Sequence, residues 1–411
     1  MINTISYNNL VLYIFAFILT FFVTTKTFIP NAGFSIIAIV WLFYNCPLLF
    51  NFNKELIFNR KFIIILIFFL YLSIHYFFNF DSSHVDGTYI KFPFVFVLYF
   101  VLVNLIKNYN LLSKMVLIHC FVVIPIVLFM AYRSYYHFNN LWLSPDWETG
   151  TRFGKNTVGM FLVFCFTYLY GYLQKNKLFL TILGLLIIGA CALYTISRGT
   201  LISITGTVLL FIIVSKRKKL YIKSLATIIF SFFILNYSFG FNFLNTFIDI
   251  KNIGHHQSVD NKKLSNLFNI YSDSPHWGGY TQRASHYVSV AKKFPDRPLF
   301  GHGMESFRRD HGTLAHNDYL TVIYEYGIIG IFLFLYILFI HFRDLFRLRK
   351  RILDDYRWLA EAQIVQLFIL LFTFLIMTSY TSPITWYTLA LSAVVVEIGK
   401  EYSGSEIRFD Q

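Results

Sequence analysis

The chain has 411 residues, of which 56% are hydrophobic and 14% charged, and its formal net charge is +14. Soluble domains carry about 25% charged residues, so a water-facing surface of this size is excluded. The basic residues are spread over separate short segments rather than one surface, which excludes a nucleic-acid-binding face.

Apolar runs of about 18 residues read as membrane helices, and there are about twelve of them. In chain order the first lie at 8–25 and 33–49. No basic residue precedes Lys26, and there is no small-residue cleavage site, so the first run is expected to be a retained helix rather than a signal peptide. Further runs follow at 62–79, 90–106 and 113–132. The connection 133–156 is aromatic and mixed in charge. Its Tyr135, Tyr136, Trp142 and Trp147 suit an interfacial belt or stacking on sugar rings. Its Arg152 and Lys155 are candidate phosphate contacts, and Asp146 and Glu148 are candidates for steering a hydroxyl nucleophile.

Runs at 157–173, 178–195, 200–214 and 223–240 come next. A long polar segment, 241–318, then separates them from the last runs at 319–340, 360–379 and 384–399. The organisation is one membrane domain: helices over 1–240, a loop insert at 241–318, and the last helices with a tail over 319–411. Within the insert, 281–293 reads as a short amphipathic helix stopped before Pro295.

Orientation follows from the cations. Alternate connections hold Lys54, Arg60 and Lys61, then Lys107 and Lys114, then Lys175 and Lys177. The same side holds the 216–223 cluster and the cluster from Arg343 to Arg357. Both termini are therefore expected in the cytoplasm and the long loop outside, which in a bacterial inner membrane is the periplasm. Cys46, Cys120, Cys165 and Cys191 all fall in apolar runs and read as buried hydrophobes. No disulfide is expected in the outer loop, and no CxxC suggests zinc or redox work.

The outer side concentrates the chemistry. Arg198, in YTISRGT, sits at the membrane boundary, where a guanidinium needs a partner or a wet cavity. Ser197 and Gly199 beside it allow close backbone approach and suit anion capture. Arg283 lies near the start of the loop helix, where free N–H groups and the helix dipole also favour an anion. The planar guanidinium binds two phosphate oxygens at once. His316 directly precedes a helix and is suited to take a proton from a hydroxyl. Six further histidines share the loop (His255, His256, His276, His286, His302 and His311), but no ligand spacing such as HExxH is present, so no metal is expected. Glu325 lies two and a half turns beyond His316 and is expected to pair with an Arg, to cap another helix or to relay protons. Gly327 and Gly330 have the small-xx-small spacing of close helix packing.

Taken in order, SRG (197–199), a loop Arg (Arg283), PLFGHG (298–303), and HN (316–317) followed nine residues later by GIIG (327–330) resemble the O-antigen ligase and polymerase superfamily. The similarity is carried by about 150–335, and by topology elsewhere. It implies an all-α, GT-C-like polytopic membrane protein of about twelve helices, with a periplasmic loop containing short helices. It also implies a metal-independent, inverting glycosyltransferase without cofactor, whose donor is a glycan on undecaprenyl diphosphate. In that scheme Arg198 and Arg283 hold the diphosphate and His316 activates the acceptor hydroxyl. Ser197, Asn317, Arg152 and Lys155 are further candidate contacts to diphosphate or glycan. The acceptor is the lipid A-core in a ligase, or another lipid-linked repeat unit in a polymerase. The histidine–glycine spacing favours a ligase; Ile202, where ligases often have Leu four residues after the Arg, departs from that pattern. A transporter of the same lipid-linked sugar is the remaining alternative, but the few ionisable residues within the runs, such as His119 and Glu325, fit it less well.

Overall fold

The computed structural model describes residues 60–78, 99, 102–103, 106, 108–138, 155–175, 178–194, 198–226, 229, 280–312, 315–376, 380 and 382–402. Among these residues the fold is all-helical, with no β-strand. The helices are α1 (Arg60–Phe78), α2 (Tyr109–Phe138), α3 (Lys155–Tyr172), α4 (Leu178–Tyr194), α5 (Arg198–Val214), α6 (Tyr280–Lys293), α7 (Ser306–His311), α8 (Asp318–Arg351), α9 (Asp354–Ile376) and α10 (Pro383–Glu401). Eight of the expected runs, from 62–79 through 384–399, coincide with or lie within α1 to α5 and α8 to α10. By length and composition α8 and α9 are able to cross a membrane. The runs 8–25 and 33–49, and most of 90–106 and 223–240, lie outside the described residues.

The expected amphipathic helix at 281–293 is α6, followed by a 3₁₀ turn over Phe294–Asp296. In contrast, α8 outruns its apolar segment by eleven residues, from 340 to Arg351. The extension is rich in Arg and Lys, which are good helix formers and complement the negative end of the helix dipole.

The central helix is α9, which packs on α3, α5, α8 and α10. Every residue from Arg357 to Leu367 is buried. Several of its polar side chains are tied to partners, as a low-dielectric interior favours. Glu361 accepts from Gln174 Nε2 at 2.7 Å and the Lys216 backbone N–H at 3.3 Å, with Arg349 Nε at 3.7 Å. Gln363 accepts from the Tyr168 hydroxyl and donates to the Thr388 carbonyl at 2.7 Å. Close approach of α3 depends on Gly171, where a Cβ would come within 2.9 Å of the Ala362 Cβ. Cys120, Cys165 and Cys191 are free and buried, in keeping with their apolar setting.

Beside this core, α1 packs along α8. Lys61 and Asp344 form an ion pair of 3.0 Å at one end, joined by Arg343 at 2.8 Å. Two apolar stripes face outward: Ile63, Ile67, Leu70 and Ile74 on α1, and Ile328, Phe332, Leu335 and Phe339 on α8. Both follow the helical 4-3-4 spacing, and a protein spanning a bilayer presents such faces to lipid.

The helix α8 is broken at Gly327, whose φ of 65° and ψ of −162° are accessible only to glycine. In an unbroken helix Ile328 N–H would pair with the Tyr324 carbonyl, and Ile329 N–H with that of Glu325. The loop 298–303 satisfies all four groups. Ile328 N–H donates to the Pro298 carbonyl at 2.9 Å and Ile329 N–H to that of Leu299 at 3.3 Å. In return His302 N–H donates to the Tyr324 carbonyl at 2.9 Å and Gly303 N–H to that of Glu325 at 2.8 Å. Tyr71 of α1 donates its hydroxyl to the Tyr326 carbonyl at 2.7 Å.

Thus the GIIG segment breaks the helix before it packs it. At Gly330 an added Cβ would meet Tyr326 Cβ of the same helix at 2.2 Å, and Tyr71 of α1 only at an ordinary contact distance of 3.5 Å. A Cβ on Gly327 would lie 2.4 Å from the Leu299 carbonyl oxygen. Gly327→Ala is therefore expected to lose its fold or melt far below wild type in detergent, from a backbone strain of about 1–3 kcal/mol plus the clash. Gly312→Ala, with the same sign of φ but open space around it, is the control. Equal melting temperatures for the two variants would refute this account of the break.

Candidate functional site at the loop end of the bundle

The N-terminus of α8 and the loop helices form a small second core of Val290, Phe307, Ala315 and Tyr324. Asp310 on α7 ties this layer together. It accepts from Tyr324 Oη at 2.6 Å and pairs with Lys293 of α6 at 3.1 Å. Burial alone would raise its carboxyl, but these donors hold it below the ordinary carboxylate value. Ser289 and His311 lie 3.2 Å apart through Oγ and Nε2. Burial, then the Lys293 charge, holds the His311 imidazole below its usual 6.5. His302 stacks on Tyr324 with ring centroids 4.6 Å apart.

His316 is exposed and adopts φ 52°, the left-handed region that a β-carbon disfavours. Such strain at a non-glycine residue persists only where neighbours enforce it. Its chain neighbour Asn317 is buried at the N-cap of α8. Its Oδ1 accepts from Leu320 N–H at 2.9 Å. Its Nδ2 donates to Tyr287 Oη of α6 at 2.7 Å and to the Leu375 carbonyl of α9 at 3.3 Å. Asn317, expected to touch substrate, is thus occupied in joining three helices. Arg283 lies four residues before Tyr287 on α6, about one helical turn away.

Arg198 is the first residue of α5 and Lys155 the first of α3. Those two helix starts are held together at Gly159, where a Cβ would lie 1.8 Å from Thr200 Oγ1. A cleft between these helices is lined by Gly159, Gly199, Thr200, Ser203, Gln366 and Ile376 among others. Ile376 ends α9 next to Leu375, the residue bonded to Asn317. The starts of α3, α5 and α8, the end of α9 and the helix α6 therefore gather at one end of the bundle. Arg152 and Ser197 lie outside the described residues.

Glu325 is buried inside α8. It accepts from Tyr380 Oη at 2.9 Å and from the backbone N–H groups of Glu305 and Phe307, so it caps the first turn of α7. Among the described residues no group of three or more His, Cys, Asp and Glu side chains is placed to hold a metal ion.

Sequence reasoning did not single out Tyr287 or Gln366. Nothing local marks Tyr287, because its role arises only when α6 docks on Asn317. Gln366 did carry a signal: it is a polar residue within an apolar run. Its Oε1 is buried in the cleft with no hydrogen-bond partner.

Residues 183–335 match a family model described as O-antigen ligase. This part of the chain is similar to the O-antigen ligase and polymerase superfamily. No curated protein matches the chain. Members of that family are glycosyltransferase-like enzymes concerned with lipid-linked polysaccharide, and the similarity together with the apolar helices supports an integral membrane protein. The matched segment runs from within α4 through the loop helices to the middle of α8, and so includes Arg198, Arg283 and His316.

The depressed His311 imidazole has a stability consequence. The unfolded chain binds a proton near pH 6.5 and the folded chain only at lower pH. Stability from this group is therefore complete above pH 6.5 and declines as pH falls from there through the folded value. Intrinsic-rate-corrected hydrogen exchange is expected to show α6 and α7 losing protection between about pH 7.5 and 5.5. His311→Gln should flatten that dependence, and an unchanged slope in the variant would exclude His311 as its source.

Proposed function

We propose that the protein is an O-antigen ligase-like glycosyltransferase, which moves a polysaccharide from undecaprenyl diphosphate to a hydroxyl of a lipid A-core acceptor. The site faces the periplasm of a bacterial inner membrane, with both chain termini in the cytoplasm. The observation that carries this reading is the Asn317 junction. Asn317, which lies in the matched family segment, follows the strained His316 and joins it to α6, which bears Arg283, and to the end of α9 beside the cleft lined by Gly199 and Thr200 at the start of α5.

In this reaction the acceptor oxygen attacks the anomeric carbon of the donor's terminal sugar. The bond from that carbon to the diphosphate oxygen breaks, and the diphosphate leaves with the bonding electrons. The proton lost by the acceptor hydroxyl passes to the His316 imidazole. Attack opposite the leaving group inverts the anomeric configuration. Charge builds on the departing diphosphate, and Arg198 and Arg283 supply preplaced guanidiniums to stabilise it. One such donor is worth about 3–4 kcal/mol by comparison with an oxyanion-hole donor. Lys155 and Arg152, with Ser197, extend the anion-binding surface. No step in this scheme uses a metal or a cofactor.

A polymerase that joins lipid-linked repeat units uses the same chemistry with a different acceptor. Ile202, four residues after Arg198, is the observation that favours it. Purified protein given a lipid-linked glycan and either lipid A-core or further repeat units will separate the two by which product lengthens. Arg198→Ala, Arg283→Ala and His316→Ala are each expected to reduce transfer by about 100-fold or more, while expression and melting temperature stay near wild type. Wild-type turnover in His316→Ala would remove the base from this scheme. Transfer is expected to continue in excess EDTA; complete loss reversed by a divalent cation would overturn the metal-independent mechanism.

A further inference from the structure

The loop that repairs the break in α8 carries two large apolar side chains on its outer side. Leu299 is 55% exposed and Phe300 56% exposed, although Gly301 next to them is buried. Apolar side chains at the tip of a turn in water would be a liability rather than a support. Here they continue an existing surface. Ile328, hydrogen-bonded to Pro298, begins the α8 stripe that runs on through Phe332, Leu335 and Phe339. Phe300 also lies beside His75, with ring centroids 6.4 Å apart, and His75 directly follows Ile74 at the end of the α1 stripe.

The height of the turn can be measured twice from the charged belt of Lys61, Arg343 and Asp344. Along α8, Ile328 lies sixteen residues from Asp344, about 24 Å. Along α1, His75 lies fourteen residues from Lys61, about 21 Å. Both distances fall short of the roughly 30 Å hydrocarbon thickness of a bilayer. Irregular backbone at that depth is tolerated only when its polar groups are satisfied within the protein. The four hydrogen bonds between 298–303 and 324–329 meet that condition for the groups freed in α8 and for the loop groups paired with them, and Gly301 N–H donates to the Arg297 carbonyl at 2.9 Å. Arg297, exposed just before the turn, suits the phosphate level above it.

From this geometry we propose that the Pro298–Phe300 turn is a lipid-binding wedge, seated among bilayer acyl chains in the leaflet at the loop end of the bundle. The inference rests on the membrane placement of α1 and α8. In it, lipid holds the turn against the Gly327 break, and through α6 and α7 sets the height of the site above the membrane.

A nitroxide on Phe300→Cys tests this, in the full-length chain with Cys46, Cys120, Cys165 and Cys191 replaced, reconstituted in phosphatidylethanolamine–phosphatidylglycerol vesicles. Dissolved oxygen, which concentrates in lipid, is expected to relax the label more than a water-soluble nickel chelate by about threefold or more, given a depth inside the hydrocarbon layer. Labels at Phe332→Cys, in mid-stripe, and at Arg308→Cys, exposed on α7, supply the lipid and water references. Nickel-dominated relaxation at 300 with oxygen-dominated relaxation at 332 would overturn the wedge while keeping α8 in the membrane. Nickel dominance at both positions would overturn the membrane placement itself. A label at 300 shielded from both reagents would mean that another segment of this chain covers the turn, and would also overturn the wedge. Should the cysteine-free chain fail to fold, an acyl-diazirine lipid photolabelling the wild-type protein is expected to mark the peptide holding Leu299 and Phe300. Labelling confined to the α1 and α8 stripes would refute it.

Discussion

The arrangement of the loop end depends on one exchange of backbone hydrogen bonds. Gly327 removes two i-to-i−4 pairs from α8, and residues 298–303 take up all four freed groups. Each such group left unpaired at membrane depth would cost several kcal/mol. The break therefore exists only because the loop is present, and the loop has its shape only because the break receives it. Gly301 and Gly327 face each other at this contact, and neither position has room for a β-carbon. This mutual requirement gives a physical reason for PLFGHG and GIIG to occur in the same chain, although a stretch of 23 residues separates them.

From that contact the loop helices inherit their placement. Glu325, just before the break, caps α7 and holds Tyr380 at the entry to α10. Tyr324 holds Asp310, which holds Lys293 at the end of α6. Midway along α6, Tyr287 reaches Asn317 at the start of α8. The polar loop is thus fastened to the membrane helix at three levels, each by a side chain from α8. A site built on such fastenings has its geometry set by rigid elements rather than by a free loop.

The opposite end of the bundle is held differently. There Glu361 joins α9 to α8, to the end of α5 and to the turn after α3, and Lys61 joins α1 to α8 through Asp344. These buried ionic contacts fix register between helices whose apolar surfaces would otherwise slide on one another. With that end pinned, the starts of α3 and α5 and the end of α9 are fixed relative to one another at the loop end, where the cleft opens.

The sequence by itself determined the helical class, the extents of α1, α3, α4 and α5 to within a few residues, and the amphipathic helix α6, because apolar periodicity and Gly–Pro punctuation are local properties. It also marked Arg198, as a charge at the edge of an apolar run, Arg283, near the start of a loop helix, and His316, a titratable group directly before a helix. It did not reveal that Asn317 serves as a cap and a junction or that Gly327 breaks α8, and it left open which partner Glu325 takes, among them a helix to cap. Nor did it show that α8 continues to Arg351, since a membrane-length argument stops where the apolar residues stop. Those facts belong to the tertiary structure, because each depends on a partner far away in sequence: Tyr287 and Leu375 for Asn317, Glu305 and Tyr380 for Glu325, Leu299 for Gly327. A residue's chemistry can be read from the chain, but whether that chemistry is spent on the fold or left for a substrate is decided only by what packs against it.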